Sequence, residues 1–216
     1  MSYPCVILMG GAPMSGKTTV AHLLAAQLGY SCLSTDDLGE AMRAVTTKDT
    51  HPYLHPMDGY DYREYYVTRS PDALIADSSL EHHALWPAVQ SVIRKHATWG
   101  EPLIIEGWSL WPERVTQLQL PRVQSLWFVA KEETLQERLV KAVAFYGGAS
   151  DEKAMVCHYL ARSFWYNARL KEEVKKFALT SIELPPRAPV HEIVEMCFQQ
   201  LRTSEPRRKS NGTQQK

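Results

Sequence analysis

Residues 5–29, CVILMGGAPMSGKTTVAHLLAAQLG, decide the fold. A short apolar run (5–9) leads into a knot of small residues, and a helical pattern (18–28) follows. Gly11, Ala12, Pro13, Met14, Ser15, Gly16, Lys17 and Thr18 satisfy G-x-x-x-x-G-K-[ST] without a mismatch, and the pattern stands between a strand and a helix as its mechanism requires. This context predicts a phosphate-binding loop. Glycines permit the tight turns, successive amide N–H groups point inward at phosphate oxygens, and the helix that follows offers the positive end of its dipole. Lys17 is placed to reach β- and γ-phosphates, and the Thr18 hydroxyl to meet Mg²⁺. With Thr19 these residues form the nucleotide cradle, which by itself does not say what is done with the nucleotide.

Outward from this loop, β-rich runs at 4–9, 31–35, 102–106, 123–130 and 178–184 alternate with helical patterns such as 18–28, 80–97 and 132–145. Five strands separated by helices predict an α/β fold, a parallel sheet covered on both faces. Ligands of such sheets bind at the carboxyl ends of the strands. Lys17, Asp36 and Glu106 all fall just after a strand. At 216 residues the chain is expected to form one domain, 1–204, given ~150 residues per domain. The polar stretch EPRRKSNGTQQK, 205–216, lacks apolar periodicity and is expected to be a disordered tail.

Composition narrows the partners. Twenty-four basic residues balance twenty-four acidic ones, so no global field draws the chain to nucleic acid or to an anionic membrane, and an anionic ligand needs a local site. No apolar run approaches the ~20 residues of a membrane span, and no secretory leader is evident, so a cytoplasmic location is expected. Cys5, Cys32, Cys157 and Cys197 are widely spaced and read as reduced thiols.

Downstream segments bear on the chemistry. The guanine-specifying N-K-x-D motif is absent, and the D-x-x-G spelled by Asp36 to Gly39 lacks that partner, which points to adenine nucleotide. In CLSTDDLGEAMR, 32–43, an apolar strand delivers Asp36 to its end, where a carboxylate can orient an acceptor hydroxyl and take its proton. The other reading is that Asp36 or Asp37 caps the helix at 38–44, and capping is the assignment preferred for Asp37. In PLIIEGWSLWP, 102–112, Glu106 stands where such proteins hold Mg²⁺, directly or through water, and Gly107 would let substrate approach the backbone; the bland alternative is a Glu satisfied by neighbouring amides.

GGAPMSGKTT, STDDLGEAMR and IIEGWSLWP together resemble the P-loop small-molecule kinases of nucleoside-monophosphate-kinase-like fold, and within them the 2-phosphoglycerate kinase-like proteins. The resemblance covers roughly 4–130 well and the remainder loosely. Where an Arg often stands three places after the strand-end Asp in that family, this chain has Gly39 and retains only Arg43. The resemblance implies an acceptor-binding insertion at about 43–98 and a mobile lid at about 132–170. Arg43 and Arg63, with Asp36 and Gly107, become candidate acceptor-binding residues. Arg138 and Arg162 become candidate lid cations; ordinary solvated helix faces are the alternative for these and for Lys141 and Arg169. His51, His55, His82 and His83 read as surface or packing residues, and Phe164, Trp165 and Tyr166 as core. The segment ELPPRAPVHEI, 183–193, would hold adenine. The implied activity is ATP- and Mg²⁺-dependent phosphoryl transfer to a small anionic or polyhydroxyl metabolite. An ATP-hydrolysing switch, or a kinase of an antibiotic or nucleotide-sugar, are the competing readings.

Overall fold

The computed structural model describes residues 3–185 and 187–203; Pro186 and the expected tail at 205–216 lie outside the described residues. β1 (Val6–Gly11) is buried at every position, as is β3 (Leu103–Gly107), because each is flanked by two strands and covered on both faces. α1 (Lys17–Leu28) follows β1, and β2 (Ser31–Ser34), α2 (Thr35–Val45), α3 (Tyr62–Thr68) and α4 (Pro71–Thr98) precede β3. α5 (Pro112–Thr116), β4 (Val123–Val129), α6 (Glu132–Lys141), α7 (Val143–Tyr146), α8 (Glu152–Lys176), β5 (Ser181–Glu183) and α9 (Val190–Thr203) complete the described chain. The sheet is five-stranded and parallel, in the order β2-β3-β1-β4-β5. This is the α/β architecture expected from the alternation of runs.

Local chemistry moves several boundaries. Thr35 closes no strand: it is the first residue of α2, and Ser34 is the cap, its hydroxyl accepting from the Asp36 amide at 3.1 Å. Asp36 and Asp37 therefore occupy the first turn, where negative charge suits the helix dipole, and the capping assigned to Asp37 belongs to Ser34. The expected helix at 80–97 begins at Pro71, because Ser70 caps the Ala73 amide at 3.3 Å and Pro71 stands at a position where its missing N–H costs nothing. The pattern at 132–145 breaks at Ala142 into α6 and α7.

The main core surrounds β1, β3 and β4, with Trp127, Phe128, Ile7, Leu8 and Ile104 fully enclosed. A second cluster joins Tyr65, Tyr66, Leu74, Leu139, Met155, Tyr159 and Leu160, so residues from 43–98 and 132–170 pack on one another around apolar contacts of their own. Of the expected aromatic core triplet, Tyr166 is buried, while Trp165 is 40% exposed.

Candidate nucleotide and acceptor site

The loop after β1 turns through two left-handed residues, Met14 (φ 63°) and Gly16 (φ 82°). The positive φ favours glycine at 16, and a Cβ there would also press on the end of the Arg138 side chain, 2.8 Å from Nη1. Arg138 reaches the loop from α6, and its Nη1 donates to the Met14 carbonyl at 3.0 Å. Burial lowers its pKa. Lys17, the first residue of α1, is buried; desolvation lowers its pKa, and the charges of Glu106 and Asp36 oppose the shift. The loop thus holds two partly desolvated cations around one turn of backbone.

Strand register supplies the carboxylate between them. Glu106 pairs with Met9 of β1 on one side and Ser34 of β2 on the other. β3 therefore separates the first two strands, and Glu106 stands between the phosphate loop and the start of α2. Its side chain is 2% exposed and Oε2 has no hydrogen-bond partner among the described residues. Burial raises its pKa; Lys17 and the Thr18 hydroxyl oppose the rise, Asp36 adds to it, and the Ser34 hydroxyl opposes it in turn. Mg²⁺ prefers hard oxygen donors and keeps much of its shell for water and phosphate. The Thr18 hydroxyl and an orphaned Glu106 oxygen fit that demand. Among the described residues no cluster of three or more His, Cys, Asp or Glu could hold a metal alone, which leaves shared ligation as the mode that fits.

Gly107 has φ 155°, and a Cβ on it would collide with the Thr35 side chain. That close approach sets the first turn of α2 against the end of β3. Beyond it a cavity of about 220 Å³ is lined by Thr35, Asp36, Gly39, Glu40, Arg43, Met57, Glu81, His82, Leu85, Trp108 and Ser109. Asp36 thus faces this cavity while its charge is felt at Lys17 and Glu106. A second cavity, about 310 Å³, lies between α6 and Arg187 and is bordered by Arg138 and Lys141; Arg187 belongs to the segment expected to hold adenine.

The remaining candidates divide. Arg43 lines the acceptor cavity, with Nη1 donating to Glu81 at 2.7 Å and Nη2 to Glu40 at 2.6 Å. Its guanidinium covers Gly39, 3.5 Å from where a Cβ would stand. Arg63 is elsewhere: it stacks 4.6 Å over the Tyr62 ring and donates to the Ala144 carbonyl at 3.4 Å. Arg162 is 4% exposed, donates to the Tyr66 hydroxyl at 2.9 Å, and lies 4.5–5.0 Å from the Trp108, Tyr159 and Tyr66 ring centroids. No carboxylate pairs with it among the described residues. Arg169 instead pairs with Glu173 at 3.1 Å and is half exposed.

His82, read from the sequence as a surface or packing residue, is buried, whereas Glu81, Trp108 and Ser109 were not singled out as site residues. His82 is 2% exposed, and its pKa falls to about 3 through desolvation and the charges of Arg162, Arg114 and Lys17. Its signal was present in the helical spacing: Leu74, Ser78, His82, Leu85, Val89 and Ile93 form the buried stripe of α4, so the histidine occupies an inward position.

Known proteins can now be set beside this geometry. A family described as an AAA domain matches residues 6–151, more than half the chain. The chain belongs to that family. The chain is 33% identical over 113 residues to a 2-phosphoglycerate kinase of Pyrococcus furiosus, covering 52% of this chain and 37% of that one. A 2-phosphoglycerate kinase of Methanocaldococcus jannaschii is 35% identical over 112 residues, 50% of this chain and 35% of its own. The chain thus spans little more than a third of the curated relatives it matches. Over the whole fold it is similar to a gluconokinase from Sinorhizobium meliloti (TM-score 0.57, 17% identity, 94% of each chain). It is also similar to a shikimate kinase from Acinetobacter baumannii (TM-score 0.55, 14% identity, 94% and 96%). The resemblance to P-loop small-molecule kinases drawn from three short motifs therefore holds for the fold and for the named relatives.

Proposed function

We propose that the protein transfers the γ-phosphoryl group of ATP to a hydroxyl of a small metabolite. One observation carries this reading: Asp36 lines a cavity able to take an acceptor, and its charge reaches the phosphate-loop lysine on the other side. A nucleotide switch has no need of a second cavity lined by a carboxylate whose charge reaches the phosphate-loop lysine. The names of the relatives, kinases of 2-phosphoglycerate, gluconate and shikimate, support a small hydroxylated acceptor.

In this reading Asp36 accepts the proton of the attacking hydroxyl as its oxygen bonds to the γ-phosphorus, while the bond to the bridging oxygen breaks and ADP leaves. Lys17 meets charge on the β- and γ-phosphates. Arg138, held on the loop through the Met14 carbonyl, and Arg162, a buried cation without a counter-ion, meet charge on the transferring group. Both belong to the segment 132–170, which acts as a lid and excludes water. Thr18 and Glu106 would hold Mg²⁺, which when bound would neutralise phosphate charge. Backbone amides from Gly11 to Thr19 bind the phosphates, and the cavity between α6 and Arg187 takes the nucleoside. Arg63 serves the acceptor only if the helix carrying it shifts from its place on Tyr62.

The test is a coupled ADP-release screen with Mg·ATP against hydroxy acids, sugars, polyols, nucleosides and antibiotics, compared with water alone. An acceptor that raises ADP release and appears as a phosphate ester supports the proposal. Release that no acceptor changes would favour a slow ATPase switch.

A further inference from the structure

The acceptor cavity holds polar chemistry that phosphoryl transfer by Asp36 does not use. Thr35, His82 and Ser109 all line it, are 0%, 2% and 3% exposed, and leave Thr35 Oγ1, His82 Nε2 and Ser109 Oγ without a hydrogen-bond partner among the described residues. Buried polar atoms are ordinarily paired. Thr35 Oγ1 is turned toward Gly107, where a Cβ would strike it, so His82 Nε2 and Ser109 Oγ are the two orphans left for a ligand's own polar atoms.

The proton on His82 can be assigned. Trp111 Nε1 lies 3.0 Å from His82 Nδ1, and an indole N–H can only donate, so Nδ1 is the acceptor and the proton sits on Nε2. Arg114 fixes the backbone there, Nη1 donating to the His82 carbonyl at 2.7 Å, and the Trp108 ring meets the imidazole edge-on with centroids 4.2 Å apart. The imidazole is held in one orientation and presents Nε2–H as a neutral donor.

Charge then separates acceptor classes. Three carboxylates, Asp36, Glu40 and Glu81, line the cavity against one cation, Arg43, and that cation is spent on Glu40 and Glu81. A phosphate on the acceptor would meet these like charges with no unpaired cation in the cavity wall; Arg162, whose charge reaches Glu81 and His82, is taken in the proposed reaction by the transferring group. Hydroxyls both donate to carboxylates and accept from Nε2–H. We propose that His82 is an acceptor-binding residue whose Nε2–H donates to a hydroxyl oxygen, and that the acceptor is an uncharged polyhydroxyl compound rather than a phosphate ester. The proposal rests on the phosphotransferase reading for turnover, but its binding half does not.

Two measurements decide it. ADP release is compared for glycerol against glycerol 3-phosphate and for D-glucose against glucose 6-phosphate; the uncharged member of each pair is expected to be the better acceptor by about 100-fold in kcat/KM, the scale of a like-charge juxtaposition. His82→Phe, which keeps the ring and removes the donor, should raise the acceptor KM about tenfold, the usual cost of one lost hydrogen bond, with His82→Gln recovering part of it. In parallel, ¹⁵N spectra of the wild-type protein with a non-hydrolysable ATP analogue should show the proton on Nε2, and that signal should shift with glycerol or glucose and not with their phosphates. Better turnover of the phosphorylated members overturns the charge argument and leaves the kinase standing. ADP release unresponsive to every acceptor counts against the kinase, and the His82 signal then still decides the ligand class. A proton on Nδ1, or a signal unmoved by both uncharged polyols, overturns the proposal.

Discussion

Asp36→Asn isolates the step that separates the proposed phosphotransferase from a nucleotide-binding module. The residue is exposed and its backbone amide, not its carboxylate, makes the hydrogen bond to Ser34. Asn preserves that bond and the side-chain volume. Electrostatically the change cuts both ways: Lys17 loses an opposite charge and Glu106 loses a like one. The two effects oppose, and a surface substitution of this kind is expected to change stability by less than about 0.5 kcal/mol. Turnover should behave differently. A positioned general base contributes roughly 10²- to 10⁴-fold, about 3–5 kcal/mol of transition-state stabilisation at ~1.4 kcal/mol per decade. Acceptor phosphorylation followed by coupled ADP release should fall by that factor, while ATP affinity, set by the loop from Gly11 to Thr18, holds. Asp37→Asn is the control, since the helix cap is Ser34 and neither carboxylate is needed for it. Asp36→Asn within tenfold of wild type refutes the base assignment. Loss at Asp37 alone means that the wrong member of the pair has been chosen.

Arg138→Ala should lower kcat more than it weakens ATP binding, because the side chain meets charge that develops in transfer; unchanged kinetics would leave it a structural tie between α6 and the Met14 carbonyl. ATP with Mg²⁺ at ~100 times its dissociation constant should add about 2.7 kcal/mol of apparent stability, visible as a raised Tm, and GTP less; equal stabilisation sinks the adenine assignment. Gly107→Ala should cost activity and stability together, since its Cβ strikes Thr35 and displaces Asp36; a fully active variant would show that the approach of α2 to β3 does not matter. His82 is held neutral with a folded pKa of about 3 against ~6.5 unfolded, so its contribution to stability is complete above pH 6.5 and is lost as pH falls toward 3, at ~1.4 kcal/mol per unit. The denaturation free energy of His82→Gln should therefore decline less steeply than that of wild type between pH 6 and 4, and equal slopes would contradict the buried neutral ring.

The fold was legible because its deciding signals are local. Residues 5–29 carry a strand, a glycine turn and a helix within one window, and the buried runs of β1 and β3 are apolar at nearly every position, as central parallel strands must be. Asp36 and Glu106 could be singled out because strand ends are visible in sequence and sheets of this topology bind ligands there. What escaped was set by partners far along the chain. The order β2-β3-β1 places Glu106 between Lys17 and Asp36, and no periodicity reports strand order. His82 acquires its role from Trp111 and Trp108, residues on a different element. Arg63 failed to join the cavity because it lies over the Tyr62 ring and donates to the Ala144 carbonyl, contacts that residue type and spacing do not report.

Arg43 and Arg162 show why residue type alone could not rank the candidate cations. Both are arginines on helices near the acceptor cavity. Arg43 is compensated twice over by Glu40 and Glu81, so an acceptor anion must displace a carboxylate to use it. Arg162 is buried against three rings, whose faces attract its charge but replace a counter-ion only in part, and its Nε has no partner among the described residues. Burying an unpaired charge is expensive, and Lys17 bears a related strain, its pKa lowered by desolvation. On the proposed reading, a desolvated Lys17 and a buried Arg162 with no paired carboxylate among the described residues favour an incoming polyanion. The same logic assigns the phosphates of the nucleotide to Lys17 and Arg162, and leaves to the acidic cavity an acceptor that brings little charge of its own.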